Sequence, residues 1–231
     1  MTSADEYKKH YKEFSQNVAF ATRTWHYHLH LNNMAAEDKE ILAALNKAPR
    51  FWLDLRYSSV QTTIIFLGKI FDSDGRVFNV DKTLKSAHEQ KQYFSKEDLR
   101  KRKVESAGEF EGLDEYIEHA SELKSDDLKA ISAEIKKAKT IWERIKPLRD
   151  RIYAHSEILS DSERAALYNA VKNEDITDII QILLNVSEVL LQAEINGRKP
   201  DFSNNYTQPI KHAYEDIEKL ISSLLPENGS R

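Results

Sequence analysis

The chain contains no cysteine, and it has few residues that break helices, with 6 glycines and 5 prolines among 231 residues. Without cysteine there are no disulfides and no thiolate metal sites, which fits a reducing compartment. So few glycines and prolines argue against a fold rich in hairpins. Hydrophobic residues make up 40% and charged residues 31%, which is typical of a helical protein with a sizeable core. We therefore expect an all-α fold.

The sequence also lacks an apolar leader and a strong charge of one sign. Met1–Glu6 has no apolar signal core, and the net charge of -4 gives no global attraction to nucleic acid. Any contact with RNA must therefore come from a local patch. The most apolar run, residues 176–195, contains polar side chains that a membrane span would not accept: Asp178, Gln181, Asn185, Glu188 and Glu194. We expect a buried helix there, no membrane contact and a cytoplasmic protein.

Helix signals occur along almost the whole chain, as capping residues followed by apolar residues at three-four spacing. A capping box of Ser3 and Glu6 predicts the first helix, to Leu31. The other predicted helices are 36–45, 50–71, 81–90, 96–105, one beginning at the N-cap Ser125 and reaching the 149–155 region, 160–172, 176–195 and 207–225. We expect 50–71 to bury Phe51, Leu55, Thr62, Ile65 and Phe66, and the helix after Ser125 to bury Leu128, Ile131, Ile135, Ala138, Trp142, Ile145 and Ile152.

The domain organisation expected from these signals is a single all-helical domain over residues 1–231. Its core covers approximately 50–75 and 125–225. The segment at approximately 76–112 is polar, so we expect an irregular helical insertion and the most mobile region there. Asp72–Gly75 resembles a calcium loop only faintly, because the later ligand positions are missing, and we interpret it as a turn.

The most informative stretch is Leu148–His155, which brings an arginine and a histidine close together. Arginine binds phosphate through a fixed fork of donors, and histidine exchanges a proton near neutral pH. On an ideal helix Arg149 lies near the middle of the apolar stripe, where an unpaired charge costs several kcal/mol. His155 lies about 120° around and roughly 9 Å along the helix. One copy of the pair therefore does not converge on one atom, whereas two copies across a dimer axis would surround one groove.

Pro147 modifies this geometry, because it removes a backbone donor and clashes with the carbonyl of Glu143. The helix is therefore kinked or restarted just before the pair. The apolar stripe continues beyond Pro147, and this continuity favours a kink.

Arg149, five intervening residues and His155, with Asp150 beside the arginine, resemble the signature of the HEPN superfamily of all-helical domains. Within it the chain is most similar to the AbiU-like abortive-infection branch. The supporting segment is Leu67–Asp72, which resembles that branch's apolar helix ending in a basic residue, here Lys69, followed by Phe-Asp. The resemblance covers residues 50–71 and 128–191. It implies a HEPN-type helical bundle, to which the N-terminal helix and the irregular helical insertion are additions that the resemblance does not cover.

Active HEPN proteins are metal-independent endoribonucleases, so the resemblance implies RNA cleavage in phage defence or as a toxin. His155 would act as general base or acid, Arg149 would stabilise charge on the phosphate, and Asp150 would orient one of them. The product would be a 2′,3′-cyclic phosphate, with no cofactor and no metal. Expected partners are a second copy, bound through the Arg149–His155 helix, RNA and an antitoxin. Other members of the superfamily are non-catalytic modules that dimerise and bind RNA, a nucleotide or a partner, and this alternative stays open.

A plainer interpretation of the motif is that Arg151 and His155 share an ordinary helix face while Arg149 pairs with a buried acid. The densest basic run, Arg100-Lys101-Arg102-Lys103, predicts a weak RNA-backbone contact together with Arg151, although such runs are more often solvated faces.

Three histidines, His26, His28 and His30, follow Trp25 closely. His26 and His30 are one helical turn apart and would suit a metal. An aromatic packing face is the favoured interpretation, because no nearby acid completes a ligand set.

Trp52 and Trp142 lie at core spacings, so we interpret both as packing residues.

Overall fold

A computed structural model describes residues 3–74 and 77–225, with the backbone alone for residues 3 and 4. Within those ranges the chain forms ten α-helices and no strand, so the prediction of an all-α fold is confirmed. The helices are α1 (Ser3–Glu37), α2 (Lys39–Leu45), α3 (Pro49–Phe71), α4 (Val80–Glu89), α5 (Lys96–Ala107), α6 (Leu113–His119), α7 (Ser125–Leu148), α8 (Asp161–Asn169), α9 (Asn173–Asn196) and α10 (Gln208–Ser222). A 3₁₀ turn, Lys91–Phe94, precedes α5, and a π-helical segment, Arg149–Ala154, follows α7.

Helix α1 is the central element and packs against α3, α4, α9 and α10. Its buried side chains recur at three-four spacing and include Tyr7, Phe14, Val18, Ala21 and Trp25. The helix runs to Glu37, beyond the predicted end at Leu31, because its apolar contacts continue towards α10. The predicted capping box involves the Ser3 side chain, which lies outside the described residues.

Helices α7 and α9 pack against each other and contribute much of the core. All the apolar residues predicted for the stripe of α7 are buried, as is Trp142, so that prediction is confirmed. The predicted N-cap is one residue late. Lys124 holds the cap position and donates its backbone N–H to the Asp127 carboxylate at 2.8 Å, while Ser125 Oγ accepts from Lys91.

The predicted apolar stripe of α3 is wrong in its N-terminal half, whereas Ile65 and Phe66 are half-buried and pack against the core as expected. Phe51 is 61% exposed and Leu55 36% exposed. The side that faces the protein instead carries Trp52, Ser59, Thr63, Ile64, Leu67, Gly68 and Ile70. The N-terminal half of α3 is apolar on several sides, so hydrophobicity alone does not fix which side packs.

The segment after Asp74 is neither irregular nor peripheral in the described residues. Helix α4 packs on α1 and α7, and its Val80, Thr83, Ser86 and Ala87 are buried. The 3₁₀ turn buries Tyr93 and Phe94. The helices predicted at 81–90 and 96–105 are confirmed as α4 and α5. That the segment is a mobile insertion stays a prediction.

Helix α9 is long and apolar enough to cross a membrane by length and composition. Half of its most apolar window is buried inside the protein, as expected for a core helix. It ends at Gly197, whose φ of 57° is the left-handed conformation that glycine adopts at helix ends. A Cβ on Gly197 would lie 2.7 Å from Leu99 Cδ2, so this end of α9 is packed tightly against α5.

Candidate functional site

The arginine–histidine motif lies on the π-helical segment that continues α7. Helix α7 passes through Pro147 without ending. The backbone N–H of Arg149 donates to two carbonyls, those of Ile145 and Lys146. Pro147 has no N–H to offer Glu143, and the chain then widens into a π turn. The ideal α-helical angles are therefore replaced by π geometry, which occurs often at functional sites.

The π turn ends abruptly at His155, where φ is -121° and ψ is -9°. The next residue, Ser156, has φ of 48°, a left-handed conformation that non-glycine residues rarely adopt. The backbone N–H of Glu157 then donates to the carbonyl of Arg151 at 2.8 Å, which closes the turn. This backbone turns the chain sharply away from α7 directly after the motif histidine.

Arg149 is partly exposed, with 27% of its side chain accessible. Its Nη1 donates to Asp150 Oδ1 at 2.7 Å, and Asp150 is itself 34% exposed. Its Nε is buried and has no hydrogen-bond partner. The arginine therefore pairs with a partly exposed acid and not with a buried one, and its Nη2 makes no hydrogen bond with the described residues.

The Arg149 side chain packs directly against Gly68 on α3. A Cβ at Gly68 would lie 2.8 Å from Arg149 Nε and 3.4 Å from Arg149 Cδ and Cζ. Sequence reasoning selected the neighbouring Lys69 and missed Gly68. The available signal was a glycine inside a strong helix, which costs about 1 kcal/mol relative to alanine and usually has a packing or functional reason. Lys69 itself is exposed, and its Nζ lies 4.3 Å from the centroid of the Phe66 ring.

The His155 side chain is exposed and makes no hydrogen bond or ion pair with any residue in the described ranges. The side chains of Arg149 and Asp150 are joined by a hydrogen bond, but neither side chain bonds to the His155 imidazole. The single chain thus brings two of the three predicted catalytic residues together. His155 presents a free imidazole to solvent or to another molecule.

Arg151 points away from this pair. Its Nε donates to Glu157 Oε2 at 2.7 Å, and its Nη2 lies 3.6 Å from Glu163 Oε1. The hydrogen bond to Glu157 raises the pKa of the Arg151 guanidinium. Glu163 also completes the predicted capping box with Ser160 at the start of α8. Arg151 therefore ties the end of the π turn to α8 and does not pair with His155.

The basic run on α5 is engaged within the protein. Arg100 pairs with Asp114 at 2.9 Å, and Lys101 pairs with Glu97 at 2.8 Å. Lys103 Nζ donates to Asn196 Oδ1 at 3.2 Å. These three side chains remain at least partly exposed. Their predicted role in RNA binding stays a prediction.

Arg102 differs from its neighbours because it is a structural residue. Its Nη1 donates to the carbonyl of Tyr93 at 2.6 Å, and its Nη2 donates to the carbonyl of Glu194 at 2.9 Å. The guanidinium also lies 4.1 Å from the centroid of the Tyr93 ring. Tyr93 in turn donates its hydroxyl to the Glu194 carboxylate at 2.6 Å. Arg102 thus holds the 3₁₀ turn against α9.

The three histidines of α1 lie in an aromatic packing face. His26 Nδ1 lies 3.2 Å from the Tyr214 hydroxyl, and His30 stacks on the Tyr214 ring with centroids 4.1 Å apart. His28 stacks on Trp25. Burial lowers the pKa of His26 to about 4 and also lowers the pKa of His28. The described residues contain no cluster of three metal-ligating side chains.

Comparison with known proteins places the chain in a family. A family model, HEPN_AbiU2, described as AbiU2, matches residues 4–220. The match includes α1 and residues 76–111, for which the resemblance seen in the sequence gave no counterpart. No curated protein and no solved structure matches the chain significantly. The chain belongs to the AbiU2 family of HEPN-type abortive-infection proteins.

Proposed function

We propose that this protein is a metal-independent endoribonuclease whose site is built on the Arg149–His155 segment. The observation that carries the proposal is the placement of Arg149. Its guanidinium lies over Gly68, partly exposed, with one nitrogen bound to Asp150 and no buried acid to neutralise it. A charge held at a surface in this way suits an anionic ligand such as a phosphodiester.

Cleavage would proceed by attack of the ribose 2′ oxygen on the adjacent phosphorus. His155, as general base, takes the proton of the 2′-hydroxyl, and a protonated histidine, as general acid, gives a proton to the leaving 5′ oxygen. The new bond joins the 2′ oxygen to phosphorus, and the bond from phosphorus to the 5′ oxygen breaks. Arg149 stabilises the charge on the phosphoryl oxygens, and Asp150 orients Arg149. The products are a 2′,3′-cyclic phosphate and a 5′-hydroxyl.

A homodimer would supply the two histidines that this scheme uses. Within one chain the His155 imidazole bonds to neither the Arg149 nor the Asp150 side chain. Ile158, three residues after His155, is 103% exposed, and a large apolar side chain so accessible beside the motif suits a contact with a second copy. Two motif segments facing each other would place both arginines and both histidines around one groove.

The second candidate is a non-catalytic module that dimerises and binds RNA, a nucleotide or an antitoxin partner. The observation in its favour is that no described group orients His155, whereas a general base is usually held by a partner. Such a module would bind RNA without cutting it.

Family membership supports a role in abortive infection, and we propose that the protein acts in the cytoplasm in phage defence or as a toxin, with or without an antitoxin. Growth after induction tests this role. An active ribonuclease should slow the host, and Arg149→Ala or His155→Ala should relieve the defect. The enzyme proposal fails if purified dimer leaves diverse RNAs intact both with and without added metal.

A further inference from the structure

A cavity of about 400 Å³ lies beside the motif, between α1, α3, α8 and α9. Leu148, directly before Arg149, and Tyr153, two residues before His155, form part of its wall. A volume of this size is within the range of small-molecule sites. The cavity contains none of the predicted catalytic residues, so the proposed chemistry does not account for it.

Four aromatic residues, Trp25, Tyr57, Tyr153 and Tyr168, line this cavity together with aliphatic side chains. Trp25 is nearly inaccessible, at 1%, and its Nε1 donates to Thr177 Oγ1 at 3.0 Å, which fixes the ring. Tyr57 and Tyr153 have ring centroids 5.9 Å apart. Tyr57 is 51% exposed and Tyr168 is 38% exposed, so both offer ring surface to an incoming group. Flat rings with accessible faces are the groups on which single-stranded RNA bases stack.

A cation also lines the cavity. Arg56, on α3, is exposed and makes no ion pair and no side-chain hydrogen bond with the described residues. His28 and Asn173 add polar groups to the lining. Burial and the nearby Arg56 lower the pKa of His28, so its ring is neutral at pH 7 and suited to hydrogen bonding. An unpaired guanidinium beside accessible aromatic rings is a combination that binds a base and a phosphate together.

We infer that this cavity binds one nucleotide of an RNA strand, with the base among Tyr57, Tyr153 and Tyr168 and its phosphate on Arg56. The inference rests on the proposed function, because it places this nucleotide beside the bond that the Arg149–His155 segment would cut. The cavity would then select which base flanks the cleavage position. An apolar peptide is the competing occupant, and it would need neither the cation nor the neutral polar groups.

Binding of nucleoside 3′-monophosphates to the full-length protein tests this inference without any cleavage. The three tryptophan indole N–H signals in a ¹⁵N NMR spectrum provide the readout, assigned by Trp→Phe variants. Trp25 lines the cavity, and Trp142 lies in the core away from it. We expect saturable shifts of the Trp25 signal with at least one of the four nucleotides, and an unchanged Trp142 signal.

Variants locate the binding. Tyr57→Leu, Tyr168→Leu and Arg56→Gln should each weaken nucleotide binding by about tenfold or more. The controls Phe110→Leu and Arg198→Gln change an exposed aromatic ring and an exposed cation that do not line this cavity, and they should leave binding unchanged. The double variant Arg149→Ala, His155→Ala should still bind the nucleotide, which separates this site from the chemistry.

Three results would overturn the inference. The first is no Trp25 shift with any nucleotide at millimolar concentration in folded protein. The second is an equal shift of the Trp25 signal with inorganic phosphate alone, which would show that the base does not contribute to binding. The third is a Trp25 shift that follows protein concentration and not nucleotide, which would identify the cavity as a protein-docking surface. If nucleotides bind as expected but no RNA is cut, the cavity assignment survives and the proposed nuclease function fails.

Discussion

Gly68 and Arg149 are in direct contact across α3 and the π segment, and a Cβ on Gly68 would lie 2.8 Å from Arg149 Nε. Because Gly68 has no side chain, α3 leaves space for the Arg149 side chain to pack against it. An arginine within an apolar helical stripe is costly when its guanidinium is fully buried, because the charge loses its hydration. Gly68 provides this space and leaves the guanidinium partly solvated.

Gly68→Ala should move Arg149 while leaving the fold intact. Alanine inside a helix stabilises it by about 1 kcal/mol relative to glycine, and the clash falls on a flexible side chain, so the free energy of unfolding should change by about 1 kcal/mol or less. Displacing the cation that we propose to be catalytic should lower RNA cleavage by about 100-fold. Thermal unfolding and a cleavage assay measure the two effects. Ser58→Ala, at an exposed position on α3, is the control.

The Asp150 carboxylate should act through Arg149. Because both side chains are partly exposed, Asp150→Asn and Asp150→Ala should each cost about 1 kcal/mol of stability or less. The asparagine keeps an oxygen that accepts from Arg149 Nη1, so it should retain more cleavage than the alanine does. Cleavage rates at saturating RNA compare the two variants. Equal activity in wild type and both variants would remove Asp150 from the site.

Two arginines of the basic run should behave in opposite ways. Arg102→Ala leaves two carbonyls and the Tyr93 ring without their cation, and we expect a loss of about 2 kcal/mol or more of unfolding free energy. Arg100→Ala removes only exposed ion pairs and should cost about 0.5 kcal/mol. Urea unfolding distinguishes them. A small loss for Arg102→Ala would show that its contacts do not hold the 3₁₀ turn.

His26 should make the fold sensitive to acid. Burial, together with His30, lowers its pKa from 6.5 to about 4. Between these values the unfolded chain binds a proton that the folded chain does not, so stability falls as pH drops from about 6.5 to about 4. The loss attributable to His26 is of the order of 3 kcal/mol, since each pKa unit is worth about 1.4 kcal/mol.

Urea unfolding at pH 7 and pH 5 measures this acid sensitivity. His26→Gln should be less stable than wild type at pH 7 but should lose less stability on going to pH 5. His119→Gln makes the same change at an exposed histidine and should keep the wild-type slope. If His26→Gln and wild type lose equal stability between pH 7 and pH 5, His26 is not the source of the acid sensitivity.

Local patterns predicted much of the fold. The stripe of α7 and the Ser160–Glu163 capping box depend on neighbours in sequence, and both are present. The buried face of α3 depends on which helices meet. The N-terminal half of α3 is apolar on several sides, and Trp52 is buried, unlike Phe51, because it joins an apolar cluster with residues of α1, α2 and α10.

The candidate site was predictable in its residues but not in its geometry. Arg149 and His155 are recognisable by type and spacing, whereas the π turn that follows Pro147 has no sequence signal beyond that proline. Gly68 lies 81 positions before Arg149 in the numbering, so no local pattern connects the two. The aromatic cavity likewise combines residues from five helices and the π segment, none of which carries a signal alone.

Cleavage of a defined RNA by purified protein in the presence of a chelator tests the central claim most directly. Wild type should cut the RNA without metal and leave 2′,3′-cyclic phosphate ends. Arg149→Ala and His155→Ala should each reduce the cleavage rate by about 100-fold or more, as expected when a charge-stabilising or proton-transferring group is removed. Intact RNA after incubation with wild type, or equal cutting by wild type and both variants, would contradict the account.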